Sequence, residues 1–177
     1  LAVQKIVRKE NGDLVLAPVD AVADTFTTRR ALAIEEPHVL VEGEDTYAYT
    51  DVFTCYKSFL LSGEFRYEKE GTFGLSFDFN GDSGLNKFVA VDPAENKLQL
   101  WFNEGDTLIT ETAVSLEPGE TYSFTYVQEG SVGIFYIDGI ASLTVRLYGA
   151  SGKSIQLFAK NNSVLFTSLQ QYTRPSA

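Results

Sequence analysis

A single tryptophan lies among polar residues at alternating positions in the middle of the sequence. If this stretch is a strand, Trp101, Gln99 and Lys97 point to one face of the sheet, and Leu98 and Leu100 point to the other. An indole beside amide and ammonium groups can stack on a sugar ring while those groups bond its hydroxyls. It can equally cover an interface with another domain or lie flat on its own sheet. We predict a carbohydrate contact at Trp101, Gln99 and Lys97, and both alternatives stay open.

A turn rich in acidic and amide residues gives a second, weaker candidate. Asp78, Asn80 and Asp82 occupy alternate positions, as at the start of a calcium-binding loop. The glycine of that pattern comes one position late, at Gly84, and Val89 stands where the bidentate Glu is required. A hairpin turn is therefore the favoured interpretation, and no metal site is predicted.

The residue types that nucleophilic catalysis requires are scarce. The chain has one histidine and one cysteine. We predict that His38 begins a strand and that Cys55 is an inert, buried thiol. Carboxylates are abundant, but most fall in predicted turns, and no spacing singles out the facing pair that a glycosidase uses. The sequence therefore predicts no catalytic residue and no cofactor.

Composition and charge restrict the partners. Acidic residues outnumber basic ones by 24 to 14, which gives a formal charge of -10. Such a chain repels phosphate, so nucleic acid and anionic membranes are excluded as expected partners. A hydrophobic content of 44% with 21% charged residues indicates a folded domain. A homo-oligomer is left open, and a bacterial cytoplasm and export from the cell suit the composition equally.

Alternation of apolar and polar residues is the dominant pattern of the chain. Turn-forming clusters such as Asp138-Gly139 separate the alternating stretches. The stretches are residues 63–68, 73–79, 121–126, 143–148 and 154–159. Short alternating strands with frequent turns are typical of antiparallel sandwiches. We predict an all-β fold, a two-sheet antiparallel β-sandwich of the jelly-roll or lectin-like type.

The first part of the chain lacks this regular spacing. We predict a strand pair at residues 3–7 and 14–16, a short helix over 18–24 and a polar connector over 25–30. The sequence is accordingly divided into a lead, residues 1–30, and a β-domain, residues 31–177.

Several segments resemble glycoside hydrolase family 32. Residues 3–19, VQKIVRKENGDLVLAPV, resemble the end of that family's catalytic propeller, where an R-E-L strand leads to G-x-L-x-x-x-P-V. Residues 126–135, YVQEGSVGIF, resemble the strand F-V-D-R-S-S-V-E-V-F of its C-terminal sandwich. Ile137-Asp138-Gly139 is similar to the N-D-G turn that follows, and residues 154–159, SIQLFA, to the later G-I-x-L-F-A strand.

Departures from that family limit what the resemblance implies. Gln128-Glu129 replace an Asp-Arg pair, Gly133 replaces a Glu, and Trp101-Phe102 stand where another Asp-Arg pair is often found. The propeller's catalytic motifs, N-D-P-N-G, R-D-P and E-C, do not occur in the sequence. Val91-Asp92-Pro93 lacks the arginine of R-D-P.

The resemblance implies a non-catalytic C-terminal sandwich of a sucrose- or fructan-cleaving enzyme of the β-fructofuranosidase type. Residues 1–30 would then be the end of the propeller and a linker. The partners would be the missing N-terminal catalytic propeller and a sucrose or fructan carbohydrate. Two alternatives remain: an independent carbohydrate-binding module, and an adhesion or assembly sandwich without a sugar ligand.

Two expectations about variants follow. Gly133→Glu is expected to be roughly neutral for stability, because the family carries Glu in the matching strand. Trp101→Ala is expected to cost about 1 kcal/mol or less, since an indole on an outer face leaves no core cavity when it is removed.

Overall fold

The computed structural model describes residues 4–8, 14–18, 25–33, 38–40, 47–77, 87–102, 107–146 and 154–175. Within these ranges, all regular structure is β-strand. The first strands are β1 (Gln4–Arg8), β2 (Leu14–Pro18), β3 (Thr28–Arg30), β4 (His38–Leu40) and β5 (Tyr47–Thr54). The central strands are β6 (Ser58–Tyr67), β7 (Phe73–Phe77), β8 (Lys87–Asp92), β9 (Lys97–Phe102) and β10 (Thr107–Ala113). The last strands are β11 (Tyr122–Glu129), β12 (Val132–Ile137), β13 (Ala141–Arg146), β14 (Ser154–Lys160) and β15 (Val164–Thr173).

Two antiparallel sheets face each other, which confirms the predicted sandwich. One sheet has six strands in the order β10-β9-β8-β7-β14-β5. The other has the order β13-β12-β11-β6-β15-β3, with β4 also paired to β15. A separate two-stranded sheet joins β1 to β2, and β2 lies against β12 and β13. No helix in the described ranges is long and apolar enough to span a bilayer.

The core between the sheets follows the predicted alternation. In β6, every second residue is buried, from Phe59 to Tyr67. In β7, Phe73, Leu75 and Phe77 all face the core and are at most 3% exposed. These side chains belong to one cluster that fills the space between the sheets. Burial of this apolar surface is the main force that holds the two sheets together.

The predictions for the first forty residues are only partly confirmed. The strand pair is present, as β1 and β2, and His38 begins β4. Thr28–Arg30 form β3 and pair with β15, where the sequence predicts a connector. Pro18 ends β2, and the rest of the predicted helix, residues 19–24, lies outside the described residues.

The structure argues against a neutral Gly133→Glu, because Gly133 lies against a buried ring. A Cβ atom added at Gly133 would lie 2.6 Å from Cζ of Tyr126. Tyr126 is fully buried, and its hydroxyl donates to Oε1 of Gln128 at 2.9 Å. The Tyr126 phenol therefore occupies the space that a side chain at position 133 would fill.

Candidate functional site

The strand that carries the tryptophan has the predicted register. Leu98 and Leu100 face the core and are at most 1% exposed. Gln99 and Trp101 therefore lie on the outer face of the six-stranded sheet. Lys97 lies on the same face, paired with Asp92 of β8, but its side chain does not line the pocket described next.

The outer face carries an apolar cluster of its own, distinct from the core. Phe88 and Phe158 are at most 1% exposed, and their rings stack with centroids 4.8 Å apart. Ala90 belongs to the same cluster, and Trp101 packs against it. Tyr49 extends the aromatic surface, with its ring centroid 6.2 Å from that of Phe88.

Strand register explains why this surface is concave. One row across the sheet pairs Phe158 with Gly74, Gly74 with Ala90, and Ala90 with Gln99. The next row places Phe88 opposite Trp101. Small residues in the middle of a row flanked by large ones leave a depression in the surface.

Polar groups surround this depression and complete a pocket of about 330 Å³. That volume is at the lower end of the range of about 300–1,000 Å³ usual for ligand sites. The floor consists of Phe88, Ala90 and Phe158, and Gln99 and Trp101 close one side. The remaining lining residues are Glu70, Gly71, Thr72, Asp92, Lys160 and Asn161.

A buried asparagine fixes the loop that forms one wall. Asn162 is fully buried, and its Oδ1 accepts from the backbone nitrogens of Lys69 at 2.9 Å and Ser163 at 2.8 Å. Its Nδ2 donates to the carbonyl oxygens of Lys69 at 2.9 Å and Gly71 at 2.7 Å. A Cβ added at Gly71 would overlap the carbonyl oxygen of Lys160, so the close contact between loop and turn requires glycine.

The tryptophan is also tied by hydrogen bonds. Nε1 of Trp101 donates to Oε1 of Gln99 at 2.9 Å. Nε2 of Gln99 donates to Oε1 of Glu111 on β10 at 3.2 Å. The indole is thus fixed both by the aromatic cluster beneath it and by a buried amide.

The other predicted residues lie elsewhere. Asp78, Asn80 and Asp82 fall outside the described residues, so the structure does not test the weak calcium candidate. Among the residues that the structure describes, no cluster of three or more His, Cys, Asp or Glu side chains is placed to hold a metal. Cys55 is half-buried, where the sequence predicts a buried thiol, and partial burial raises the pKa of the thiol.

A second concavity, of about 370 Å³, opens between the edge strands β10 and β13. Its lining includes Lys87 and Arg146, and Nζ of Lys87 donates to the carbonyl oxygen of Arg146. Its lining residues include no aromatic ring. The pocket at Trp101 is therefore the better candidate for a ligand that stacks on a ring.

Comparison with solved structures identifies the class of fold. The carbohydrate-binding module CBM66 from Bacillus subtilis matches with a TM-score of 0.63 and 14% identity, over 84% of this chain and 97% of the module. An exo-inulinase from Aspergillus awamori matches 98% of this chain with a TM-score of 0.68 and 13% identity. Fructan 1-exohydrolase IIa from Cichorium intybus also matches 98%, with a TM-score of 0.65 and 11% identity.

The chain spans 35% of the exo-inulinase and 40% of the exohydrolase, in the C-terminal portion of each. At these identities the comparison establishes the fold, which is that of the C-terminal β-sandwich of glycoside hydrolase family 32. The resemblance seen in the sequence is confirmed at the level of the fold. No family model and no curated protein matches the sequence.

Proposed function

We propose that this chain is the non-catalytic C-terminal β-sandwich of a sucrose- or fructan-cleaving glycoside hydrolase, and that it contacts carbohydrate through the pocket at Trp101. The observation that carries the proposal is the match of 98% of the chain to the C-terminal portion of two fructan-cleaving enzymes. In this role the sandwich supports an N-terminal propeller that performs the hydrolysis.

The chemistry of the pocket supports a neutral sugar as the ligand. Trp101 offers an aromatic surface for the apolar face of a ring, and Gln99 adds an amide. The carboxylates of Glu70 and Asp92 accept hydrogen bonds from hydroxyl groups, and they repel anionic ligands such as uronates and sugar phosphates. Lys160 offsets one of these two negative charges.

An independent carbohydrate-binding module is the second candidate. The observation that favours it is the match to the module from Bacillus subtilis, which this chain covers over 97% of its length. The two candidates share the fold and the pocket, and differ in whether a propeller belongs to the same protein. Reading the coding sequence upstream of Leu1 for the N-D-P-N-G, R-D-P and E-C motifs separates them.

The test of the carbohydrate contact is affinity electrophoresis of the purified chain in gels that contain levan, inulin, polygalacturonate or no polysaccharide. We expect retarded migration in a fructan gel and normal migration in a polygalacturonate gel. Equal migration in every gel would leave the third alternative, an adhesion or assembly sandwich without a sugar ligand.

The proposal also predicts that the chain releases no fructose from sucrose, levan or inulin, because the three catalytic motifs are absent from its sequence. A reducing-sugar assay on repurified protein measures this. Turnover that co-purifies with the chain through two columns would contradict the assignment.

A further inference from the structure

The hydrogen bonds that hold the tryptophan continue beyond the pocket. From Nε1 of Trp101 they pass through the Gln99 side chain to Oε1 of Glu111. Glu111 is exposed on β10, the edge strand of the six-stranded sheet, and it does not line the pocket. It is therefore connected to the indole without being placed to touch a ligand beside that indole.

Donor and acceptor chemistry fixes the direction of this series. An indole nitrogen can only donate, so the Gln99 atom that faces it is Oε1. Nε2 of Gln99, which can only donate, then faces Glu111, whose carboxylate accepts. One orientation of the amide satisfies both bonds, and the acceptor at position 111 selects it.

Because the Gln99 side chain is buried, the orientation of its amide depends on its protein partners. Gln99 is only 5% exposed, so water cannot readily replace a lost partner of its amide. Since Nε1 of Trp101 is committed to Gln99, a ligand engages the indole through its ring face. The orientation of that face then depends on the amide and, through it, on Glu111.

We propose that Glu111 is a positioning residue of the pocket, which acts through Gln99 to hold the Trp101 indole in the orientation that presents its ring to a sugar. The proposal rests on the proposed function only for the nature of the ligand. The hydrogen bonds exist in the free protein, so the positioning effect is measurable without sugar.

Three substitutions at position 111 test whether a hydrogen-bond acceptor is required there or whether any side chain suffices. Glu111→Ala removes the acceptor, whereas Glu111→Gln retains an acceptor oxygen. Glu111→Lys places a donor opposite Gln99 and forces its amide to turn, so that two donors meet at the indole. An exposed edge strand tolerates all three, and Lys is common on such strands. Glu120→Gln, at an exposed carboxylate before β11, is the matched control.

The direct measurement is fluorescence quenching by acrylamide, because Trp101 is the one tryptophan in the chain. We expect Glu111→Ala and Glu111→Lys to raise the quenching constant and shift the emission maximum. Glu111→Gln and Glu120→Gln are expected to match the wild type. Unchanged emission and quenching in Glu111→Ala, or equal changes in Glu111→Gln and Glu111→Ala, would overturn the proposal.

Titration with inulin oligosaccharides provides the second measurement. Glu111→Ala should weaken binding about five-fold, the effect of one ordinary hydrogen bond, and Glu111→Gln should restore it. Equal affinity in Glu111→Ala and the wild type would overturn the positioning role in binding. A folded wild type that binds no fructan would instead refute the proposed function, and the fluorescence result would still decide the role of Glu111 in holding the indole.

Discussion

Trp101 differs from an ordinary surface tryptophan in what lies beneath it. Phe88 and Phe158 are at most 1% exposed although they belong to the outer face of a sheet. The indole packs on them and donates to the buried Gln99. Removing it would expose two aromatic rings and leave a buried amide with one partner fewer.

Trp101→Ala should therefore lower the stability of the fold by more than the sequence-based expectation, which considered only that the indole lies on an outer face. We expect a loss of about 2 kcal/mol in the free energy of unfolding, below the roughly 3–5 kcal/mol of a fully buried tryptophan. Urea denaturation measures it, and Trp101→Phe, which keeps a ring on the cluster, should lose less. A loss under about 0.5 kcal/mol, the scale of an ordinary surface change, would show that the indole covers nothing.

Gly133→Glu tests the contact with Tyr126. The new Cβ would overlap the buried phenol, and the carboxylate would need space in a fully packed region. We expect a loss of more than about 3 kcal/mol, because overpacking and burial of an unpaired charge add together. Urea denaturation decides it, with Ser131→Glu, at an exposed position of the same hairpin, as the control. A nearly neutral Gly133→Glu would mean that the strand shifts without cost.

At the scale of elements, Asn162 joins the loop before β7 to the turn before β15. All four of its hydrogen bonds go to backbone groups, and they require an amide side chain, which both accepts and donates. The wall that holds Glu70 and Thr72 is thus fixed before any ligand arrives. A site built in this way loses little entropy on binding.

Asn162→Ala should cost about 2–4 kcal/mol, because several buried backbone groups lose their partner. Asn162→Asp should also be destabilising, since its carboxylate would face the carbonyl oxygens of Lys69 and Gly71. Thermal denaturation of both variants measures this. Stability equal to the wild type in either variant would show that the loop does not depend on Asn162.

A second link joins the C-terminal end of β15 to β11. Nη1 of Arg174 donates to Oε2 of Glu129 at 3.0 Å, and Ser58 donates to the same oxygen at 2.8 Å. The guanidinium also lies 4.4 Å from the ring centroid of Phe26, in the segment before β3. Hydrogen bonding from Arg174, with a smaller contribution from Ser58, holds the pKa of Glu129 below its usual value.

This pKa shift predicts how stability responds to acid. A carboxyl with a lowered pKa in the folded state stabilises the fold above its unfolded pKa, about 4.3, and loses that contribution as pH falls toward the folded value. The difference in unfolding free energy between wild type and Glu129→Gln should therefore be largest near neutral pH and shrink in acid. Urea denaturation at pH 7 and pH 3 checks this, with Glu120→Gln as the control. A difference that is independent of pH would contradict it.

For the whole molecule, alternation along the chain was sufficient to predict the class of fold. Phe73, Leu75 and Phe77 face the core as their spacing requires, and the register of Leu98 and Leu100 puts Trp101 on the outside. The alternating pattern carries this information because successive side chains of a strand point to opposite faces, and in most of these strands one face is buried. The sequence thus located Gln99 and Trp101 of the candidate site.

The rest of the site depended on contacts between distant segments. Glu70 and Lys160 both line the pocket although they lie far apart in the sequence, so no local spacing reveals them. One local signal was available: Phe158 occupies the polar position of an alternating strand. An aromatic residue there indicates that the second face of the strand is covered as well.

We propose that this sandwich holds a neutral sugar against Trp101. Isothermal titration calorimetry with 1-kestose, on the wild type and on folded Trp101→Ala, tests it most directly. We expect one saturable site in the wild type and an affinity at least about ten-fold weaker in the variant, or about 1.4 kcal/mol. A wild type that binds no fructan, or a variant that binds as tightly as the wild type, would contradict it.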